Sequence, residues 1–316
     1  MRLMFIATIL VLIGCTKDDA TNSSIRAANT EGRIAVAEWD NTFKTHIFTM
    51  TPVGKNKKQL TFGQIEYWMP AWLPDGKKIV FVSRLFPTGM NIHVMDADGK
   101  NRQQLTFTGT NMAPRGSPDG SKIAFAHLES GTPPLQWDIW LMDADGANKK
   151  ALTTSSTTDD NVPSWSPDGN KIVFTSNRNG GRYQLWTMNL TDSTFTQLTT
   201  AWFDPMIGQW IEQKVPAWSP DGKYIAYWQG VEGTNSNSIL PWNVWVMNAD
   251  GTNKRLLAPG DDPAWSPDSK TIIHVWKTDC PASVSIGGIS PDGSNQRLMF
   301  QTNCGWGRAS WQPVAK

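Results

Sequence analysis

The sequence is poor in histidine, in cysteine and in unbalanced charge. Its 316 residues include 4 His and 3 Cys, and 29 Lys+Arg stand against 28 Asp+Glu. A chain this close to neutrality, with no Arg/Lys-rich tract, lacks the electrostatic footprint of a nucleic-acid binder. Four scattered histidines supply no histidine-rich metal site. No Gly-x-Ser-x-Gly nucleophile elbow occurs either. No catalytic residue, metal or cofactor is therefore expected. No apolar run approaches the ~20 residues of a spanning helix, and the repeated part of the chain carries no helical period.

The apolar run that does exist, Leu3 to Ile13, follows Arg2 and has the length of a signal-peptide core. It ends in Leu12-Ile13-Gly14-Cys15, which resembles the bacterial lipobox. That resemblance implies cleavage before Cys15, acylation of Cys15 and attachment to the membrane by lipid. The following Lys17-Asp18-Asp19 resembles a surface-export signal of Bacteroidetes lipoproteins. The expected organisation is a signal peptide at 1–14, a lipidated flexible tether at 15–32 and a folded domain at 33–316. The expected location is the outer membrane, with exposure at the cell surface.

What the chain has in abundance is tryptophan, 17 residues, and a repeated phrase. PAWLPDGKKIVF begins at Pro70, PRGSPDGSKIAF at Pro114, PSWSPDGNKIVF at Pro163, PAWSPDGKYIAY at Pro216 and PAWSPDSKTIIH at Pro263. The spacings of 44, 49, 53 and 47 residues mark a repeat array. A second phrase follows each copy, as in DIWLMDADGANKKALT from Asp138. Ser-Pro-Asp-Gly suits a type I turn between strands A and B, and Asp-Ala-Asp-Gly joins strand C to a strand D ending in Leu-Thr. Four short strands per repeat are the signature of an all-β propeller. The first B-C-D set, starting at Arg33, lacks its inner strand, and Ala309-Ser310-Trp311 is an inner strand without a blade. Pairing the two closes a ring of six blades.

The phrase PxWSPDG…IxF…IWxMDADG…LT resembles the six-bladed propeller of the TolB family over residues 33–312. TolB itself has an α/β domain ahead of its propeller and binds Pal in the Tol–Pal envelope system, whereas only a tether precedes the repeats here. The resemblance implies an envelope scaffold for protein–protein contacts. Similar repeats occur in propeller lyases and in prolyl-oligopeptidase-type hydrolases, the less favoured readings.

The A–B and C–D turns share one uniform face, and the B–C and D–A connections share a variable one, where function is expected. Trp72, Trp165, Trp218, Trp265 and Trp311 repeat in strand A, and Trp140, Trp186 and Trp245 in strand C, as packing residues. Trp39, Trp68, Trp137, Trp202, Trp210, Trp228, Trp242, Trp276 and Trp306 are off-consensus and fall on the variable face. Tyr67, Trp68, Asp160, Asn161, Lys214, Asp261, Asp262, Trp306 and Arg308 are expected just before strand A, around the channel mouth. With Trp202, Trp210 and Trp242 from the long blade-five connections, they form the candidate ligand site. Aromatics beside carboxylates and amides suit a glycan, with an envelope protein as the alternative partner. Burial of the blade-five aromatics within their own loops stands as the competing reading. Asp-x-Asp-Gly is read as turn chemistry rather than a calcium loop. Basic residues starting strand D, such as Lys58, Lys150 and Arg255, are read as edge protection. Arg115 is expected to fill the space of a tryptophan missing at Gly116. His274 and His93 are expected in the core. Cys280 and Cys304 are expected to form a disulfide that staples the last blade to the closing strand. The molecule is expected to be a monomer.

Overall fold

A computed structural model describes residues 32–85, 89–129, 136–231, 242–277, 283–303 and 309–313. Among these residues there is no helix, and the strands form six antiparallel sheets. Blade 1 holds β1 (Ile34–Trp39), β2 (Thr45–Met50) and β3 (Lys58–Gln59). Blade 2 holds β4 (Glu66–Trp72), β5 (Lys78–Leu85), β6 (Gly89–Asp96) and β7 (Gln103–Gln104). Blade 3 holds β8 (Thr110–Gly116), β9 (Lys122–Leu128), β10 (Trp137–Asp143) and β11 (Lys150–Ala151). Blade 4 holds β12 (Asp160–Trp165), β13 (Lys171–Ser176), β14 (Gln184–Asn189) and β15 (Phe195–Gln197). Blade 5 has five strands: β16 (Trp202–Asp204), β17 (Gln209–Trp218), β18 (Tyr224–Val231), β19 (Asn243–Asn248) and β20 (Arg255–Pro259). Blade 6 holds β21 (Asp261–Trp265), β22 (Ile272–Lys277), β23 (Ser283–Ile289) and β24 (Arg297–Asn303). The C-terminal β25 (Ser310–Trp311) pairs with β1 through Ile34↔Trp311 and Ala35↔Ser310, completing blade 1.

Each repeated phrase has a local cause. In the A–B turns the serine hydroxyl donates to the aspartate, as from Ser166 to Asp168 at 2.6 Å, and accepts the amide of the residue opening strand B, Lys171 N at 2.9 Å. Gly146 of a C–D turn has φ 91°, and a Cβ there would lie 3.2 Å from Leu105 of the preceding blade, so both backbone and packing require glycine. The threonine of each Leu-Thr accepts a strand-C amide: Ile47 N on Thr61 at 2.9 Å, Ile92 N on Thr106 at 2.8 Å, Ile139 N on Thr153 at 2.9 Å and Leu185 N on Thr199 at 2.8 Å.

The core lies in the seams between blades. Phe81 and Ile79 of blade 2 pack on Ala35 and Ile47 of blade 1, and Tyr227 of blade 5 packs beside Val173 and Leu185 of blade 4. His274 takes the equivalent place in blade 6 at 1% exposure. It lies in a cradle between Gly260 and Gly287, and burial lowers its pKa to about 4. The inner strands are stitched to one another: Trp165 Nε1 donates to the Arg115 carbonyl at 3.1 Å, and Trp265 Nε1 to that of Ala217 at 2.9 Å. Trp72 N donates to Ser310 Oγ at 3.2 Å and Trp218 N to Ser164 Oγ at 3.1 Å.

One expectation is corrected and another is extended. Arg115 does not fill the gap left by the missing tryptophan; it donates to its neighbour's carbonyl, Pro114 O, at 2.8 Å. Leu73, which replaces the serine of the adjacent turn, takes the space instead: it is 6% exposed, and its Cδ2 lies 2.7 Å from where a Gly116 Cβ would sit. The rim cations are more than edge protection. Lys58 Nζ donates to Asp98 O at 2.9 Å, and Arg255 Nε and Nη2 donate to Pro291 O at 2.9 and 2.6 Å, each binding a C–D turn of the next blade.

Leu73 and Gly116 therefore act as one unit. Gly116→Trp alone should destabilise the protein by about 1–3 kcal/mol through overpacking. Adding Leu73→Ser should recover most of that loss, which a double-mutant cycle of urea-unfolding free energies will read as a coupling of about 1 kcal/mol or more.

Candidate functional site

The variable-face end of each inner strand is shaped by a bulge. Met69, Ala113, Val162, Val215 and Asp262, the residues before the repeat prolines, have φ between 48° and 55°. The pairing shifts at each, between Trp68/Ala71, Met112/Arg115, Asn161/Ser164, Lys214/Ala217 and Asp261/Ala264. Proline disfavours right-handed α at the preceding residue, and the left-handed bulge sharpens the strand's bend and re-aims its neighbours. Of the residues expected just before strand A, Tyr67, Trp68, Asp160, Asn161, Lys214, Asp261 and Asp262 are thus part of it. The second residue before four of the five bulge centres is buried: Tyr67, Asn111, Asp160 and Gln213. The first is half-buried, as for Trp68, Met112, Asn161 and Lys214.

This alternation sorts the candidate residues. Tyr67, 2% exposed, packs its ring on Phe81 and His46, and its hydroxyl accepts from Arg102 Nη1 at 2.7 Å, so it offers no ring face to solvent. Asp160, 1% exposed, pairs with Arg178 Nη2 at 2.7 Å. Trp68 carries the Arg84 guanidinium 4.9 Å from its ring centre. Lys214 pairs with Glu212 at 2.8 Å and lies 4.5 Å from the Tyr183 ring and 5.6 Å from that of Trp228. Trp242 meets Trp228 edge-on at 5.2 Å, and Trp210 lies between Phe203 at 5.7 Å and the Arg182 guanidinium at 5.2 Å. Asn161 pairs across the sheet with Thr175; Asp261 and Asp262 open β21 half-buried. Trp306, Arg308, Cys15, Cys280 and Cys304 lie outside the described residues.

The blade-five aromatics answer the open question in two ways. Trp210, Trp228 and Trp242 are packed on neighbouring side chains, whereas Trp202 is 46% exposed. The segment read as a connection is a hairpin: β16 pairs with the start of β17 through Trp202↔Ile211, Phe203↔Trp210 and Asp204↔Gln209. Its turn carries Met206 and Ile207, 93% and 42% exposed.

Sequence reasoning missed further apolar groups on this face. Phe43, Phe62 and Phe107 are exposed in the β1–β2, β3–β4 and β7–β8 connections. The signal was present as Leu-Thr-Phe at 60–62 and 105–107, where later repeats read Leu-Thr-Thr. The opposite face holds a concavity of about 470 Å³ between the A–B turns of blades 3 and 4. Its charged lining is already engaged: Ser117 and Ser121 donate to Asp119, Ser166 to Asp168, and Lys122 pairs with Asp143.

Between blades 3 and 4 the variable face gathers carboxylates. Asp159 accepts the Trp137 amide at 2.9 Å and the Tyr183 hydroxyl at 3.0 Å. Asp138 accepts from Thr153 Oγ1 at 3.2 Å. Burial, with the nearby Asp160 charge, raises its pKa to about 6. His127, across the strand from Asp138, contacts Asn111 Oδ1 at 2.8 Å and Glu129 Oε2 at 3.1 Å. Among the described residues no group of three or more His, Cys, Asp or Glu is placed to hold a metal ion.

The raised Asp138 pKa has a stability consequence with a definite sign. The folded state holds the proton more tightly than the unfolded chain, so stability is gained as pH falls through about 6 toward 3.8, and the penalty is fully present above 6. Asn91 and Asn243 occupy the same repeat position in blades 2 and 5. Asp138→Asn should therefore stabilise by about 1–2 kcal/mol at pH 7.5, allowing for partial solvent screening. The gain should shrink toward pH 4 in chemical denaturation followed across the pH range.

Comparison with known proteins follows the fold. Residues 31–315 match the family described as TolB beta propeller domain. Among solved structures, the chain is similar to TolB from Acinetobacter baumannii, at 23% identity and a TM-score of 0.71 over 90% of this chain and 67% of that one. It is also similar to hydrazine synthase of Kuenenia stuttgartiensis, at 13% identity and 0.67 over 90% and 47%. An oligogalacturonate lyase in complex with manganese is similar at 16% identity and 0.52 over 87% and 74%. At these identities the likeness is one of fold. No curated protein matches the chain.

Proposed function

The chain belongs to the TolB β-propeller family, and from that membership we propose that it is a non-catalytic binding scaffold of the cell envelope whose variable face takes a protein partner. The observation that carries this reading is the distribution of exposed apolar side chains. Phe43, Phe62, Phe107, Trp202, Phe203, Met206 and Ile207 all lie on the variable face, whereas Val53, Phe195, Leu256 and Leu298 are scattered over C–D turns and outer strands. Apolar surface concentrated on one face of a soluble fold marks an interaction site. The lipobox-like sequence around Cys15 supports attachment to the outer membrane through an acylated Cys15. The TolB relatives support a scaffold role, and no constellation of acid, base and nucleophile on the described face favours the lyase or hydrolase readings.

Glycan recognition is the second reading, favoured by the half-exposed Trp202 ring beside Asp204. It ranks lower because Trp68, Trp210 and Trp228 already have cations or rings against them.

A photo-crosslinking residue placed at Phe62 or Phe107 in the full-length protein, in the cell that makes it, should give a discrete adduct to one protein. The same residue at Asp119, on the turn face, should give none. Adducts confined to Asp119 would sink the reading. A saturable glycan-array hit abolished by Trp202→Ala would replace it with the second.

A further inference from the structure

The β1–β2 turn carries a residue that its backbone does not suit. Asp40 N donates to Lys44 O at 2.9 Å and Phe43 N to Asp40 O at 3.1 Å. The same two bonds close the turns at 51–55, 96–100, 143–147, 248–252 and 290–294. In the place of Phe43 those turns hold Gly54, Gly99, Gly146, Gly251 and Gly293, each at positive φ. Phe43 stands there at φ 60°, where a Cβ crowds the backbone and glycine is the unstrained residue. Burial does not offset that strain: Phe43 is 76% exposed, and its ring meets the half-buried Trp39 edge-on at 6.1 Å. Folding alone would favour glycine, and a strained residue that persists against that preference points to function.

The surroundings of Phe43 are acidic. Its turn adjoins the connection that bears Phe62: His46 lies 3.2 Å from Asp40 and also feels the charge of Glu66. Burial lowers the His46 pKa, which keeps the imidazole neutral near pH 7 and leaves the Asp40 charge uncancelled by it. Lys44 is the cation beside Phe43, set against both carboxylates. The same bias runs over the whole face, although the chain as a whole is nearly neutral. Among the described residues Asp and Glu outnumber Lys and Arg on the variable half, and Lys and Arg outnumber Asp and Glu on the turn half. Two of the variable-half cations, Arg178 and Lys214, are already paired with Asp160 and Glu212.

We propose that Phe43 is the anchor of the docking surface, and that the partner protein meets it with an apolar pocket rimmed by Lys and Arg. This deepens the docking role proposed above and rests on it. Phe43 fills the pocket, Phe62 covers the apolar surface beside it, and Asp40 and Glu66 face the cations of the rim. The acidic character of the face also decides against two other occupants. A bilayer containing anionic lipid is repelled by it. The turn face of a second copy offers a concavity lined by Asp119 and Asp168, which would oppose Asp40 and Glu66.

The test uses the full-length protein in detergent, a phage-displayed library of random peptides and the Phe43→Gly variant. Enriched peptides should combine Lys or Arg with apolar residues, and their affinity should fall about tenfold between low salt and about 0.5 M NaCl. Phe43→Gly should weaken them by about tenfold or more, while its midpoint of urea unfolding holds or rises. A lower midpoint would make Phe43 a structural residue and overturn the inference. So would peptides that ignore Phe43→Gly, peptides rich in Asp or Glu, binding insensitive to salt, or no enrichment at all. Binding to phosphatidylethanolamine–phosphatidylglycerol vesicles, or a dimer, that Phe43→Gly abolishes would overturn it as well. The docking reading is judged separately, by crosslinking at Phe62 and Phe107. Adducts there that persist in Phe43→Gly leave docking standing and overturn the anchor, and the absence of adducts at both positions overturns the two together.

Discussion

The structure depends on ring closure. No blade buries its own faces; each seam takes half of its core from the next sheet, so an open array would leave two apolar faces and a bare inner edge in water. The contact that prevents this is small. Two residue pairs join β25 to β1, with Gln312 and Arg33 exchanging bonds beyond them. Its strength comes from the cluster it completes, in which Trp311 and Ala309 join Ile34 and Phe48 of blade 1 to Ile273, Ile286 and Phe300 of blade 6.

Closure divides the two faces by task. The turn face is committed to architecture: serines, aspartates and glycines satisfy one another, and rim cations reach across to the next turn. The same serine–aspartate bond recurs in the A–B turns of blades 3 to 6 and leaves little freedom there. On the variable face the inner strand passes its bulge and continues, so insertions ride on a rigid strand end rather than replacing it. The blade-five hairpin is such an addition, and it uses the strand already present as its second arm.

The repeat made the fold legible because each phrase is a turn with a local cause, and the same causes recur in the same order. The missing inner strand of blade 1 and its counterpart at Trp311 could be matched for the same reason. What lay outside the period was harder to see. Left-handed Met69, Val162 and Val215 contradict the preferences of their residue types, so nothing local announced a bulge or the strand running through it. Tyr67 and Trp68 are adjacent in sequence, and only the bulged register decides which is buried. Trp202 to Asp204 fall in an insertion that the period cannot mark. The exchange of Leu73 for the tryptophan absent at Gly116 crosses a seam, a contact no single repeat contains.

The meeting of Arg33 and Gln312 carries one more consequence. In a ring whose ends are hydrogen-bonded neighbours, the place where the gene starts is a matter of descent and not of geometry. A copy begun at any A–B turn, with the present ends joined by a short link, would trace the same six blades in a rotated order. Natural selection could thus shift the starting blade, and with it the blade nearest any anchor, without altering a single seam. The position of the hairpin relative to the chain's two ends is therefore an inherited choice, open to revision in related chains.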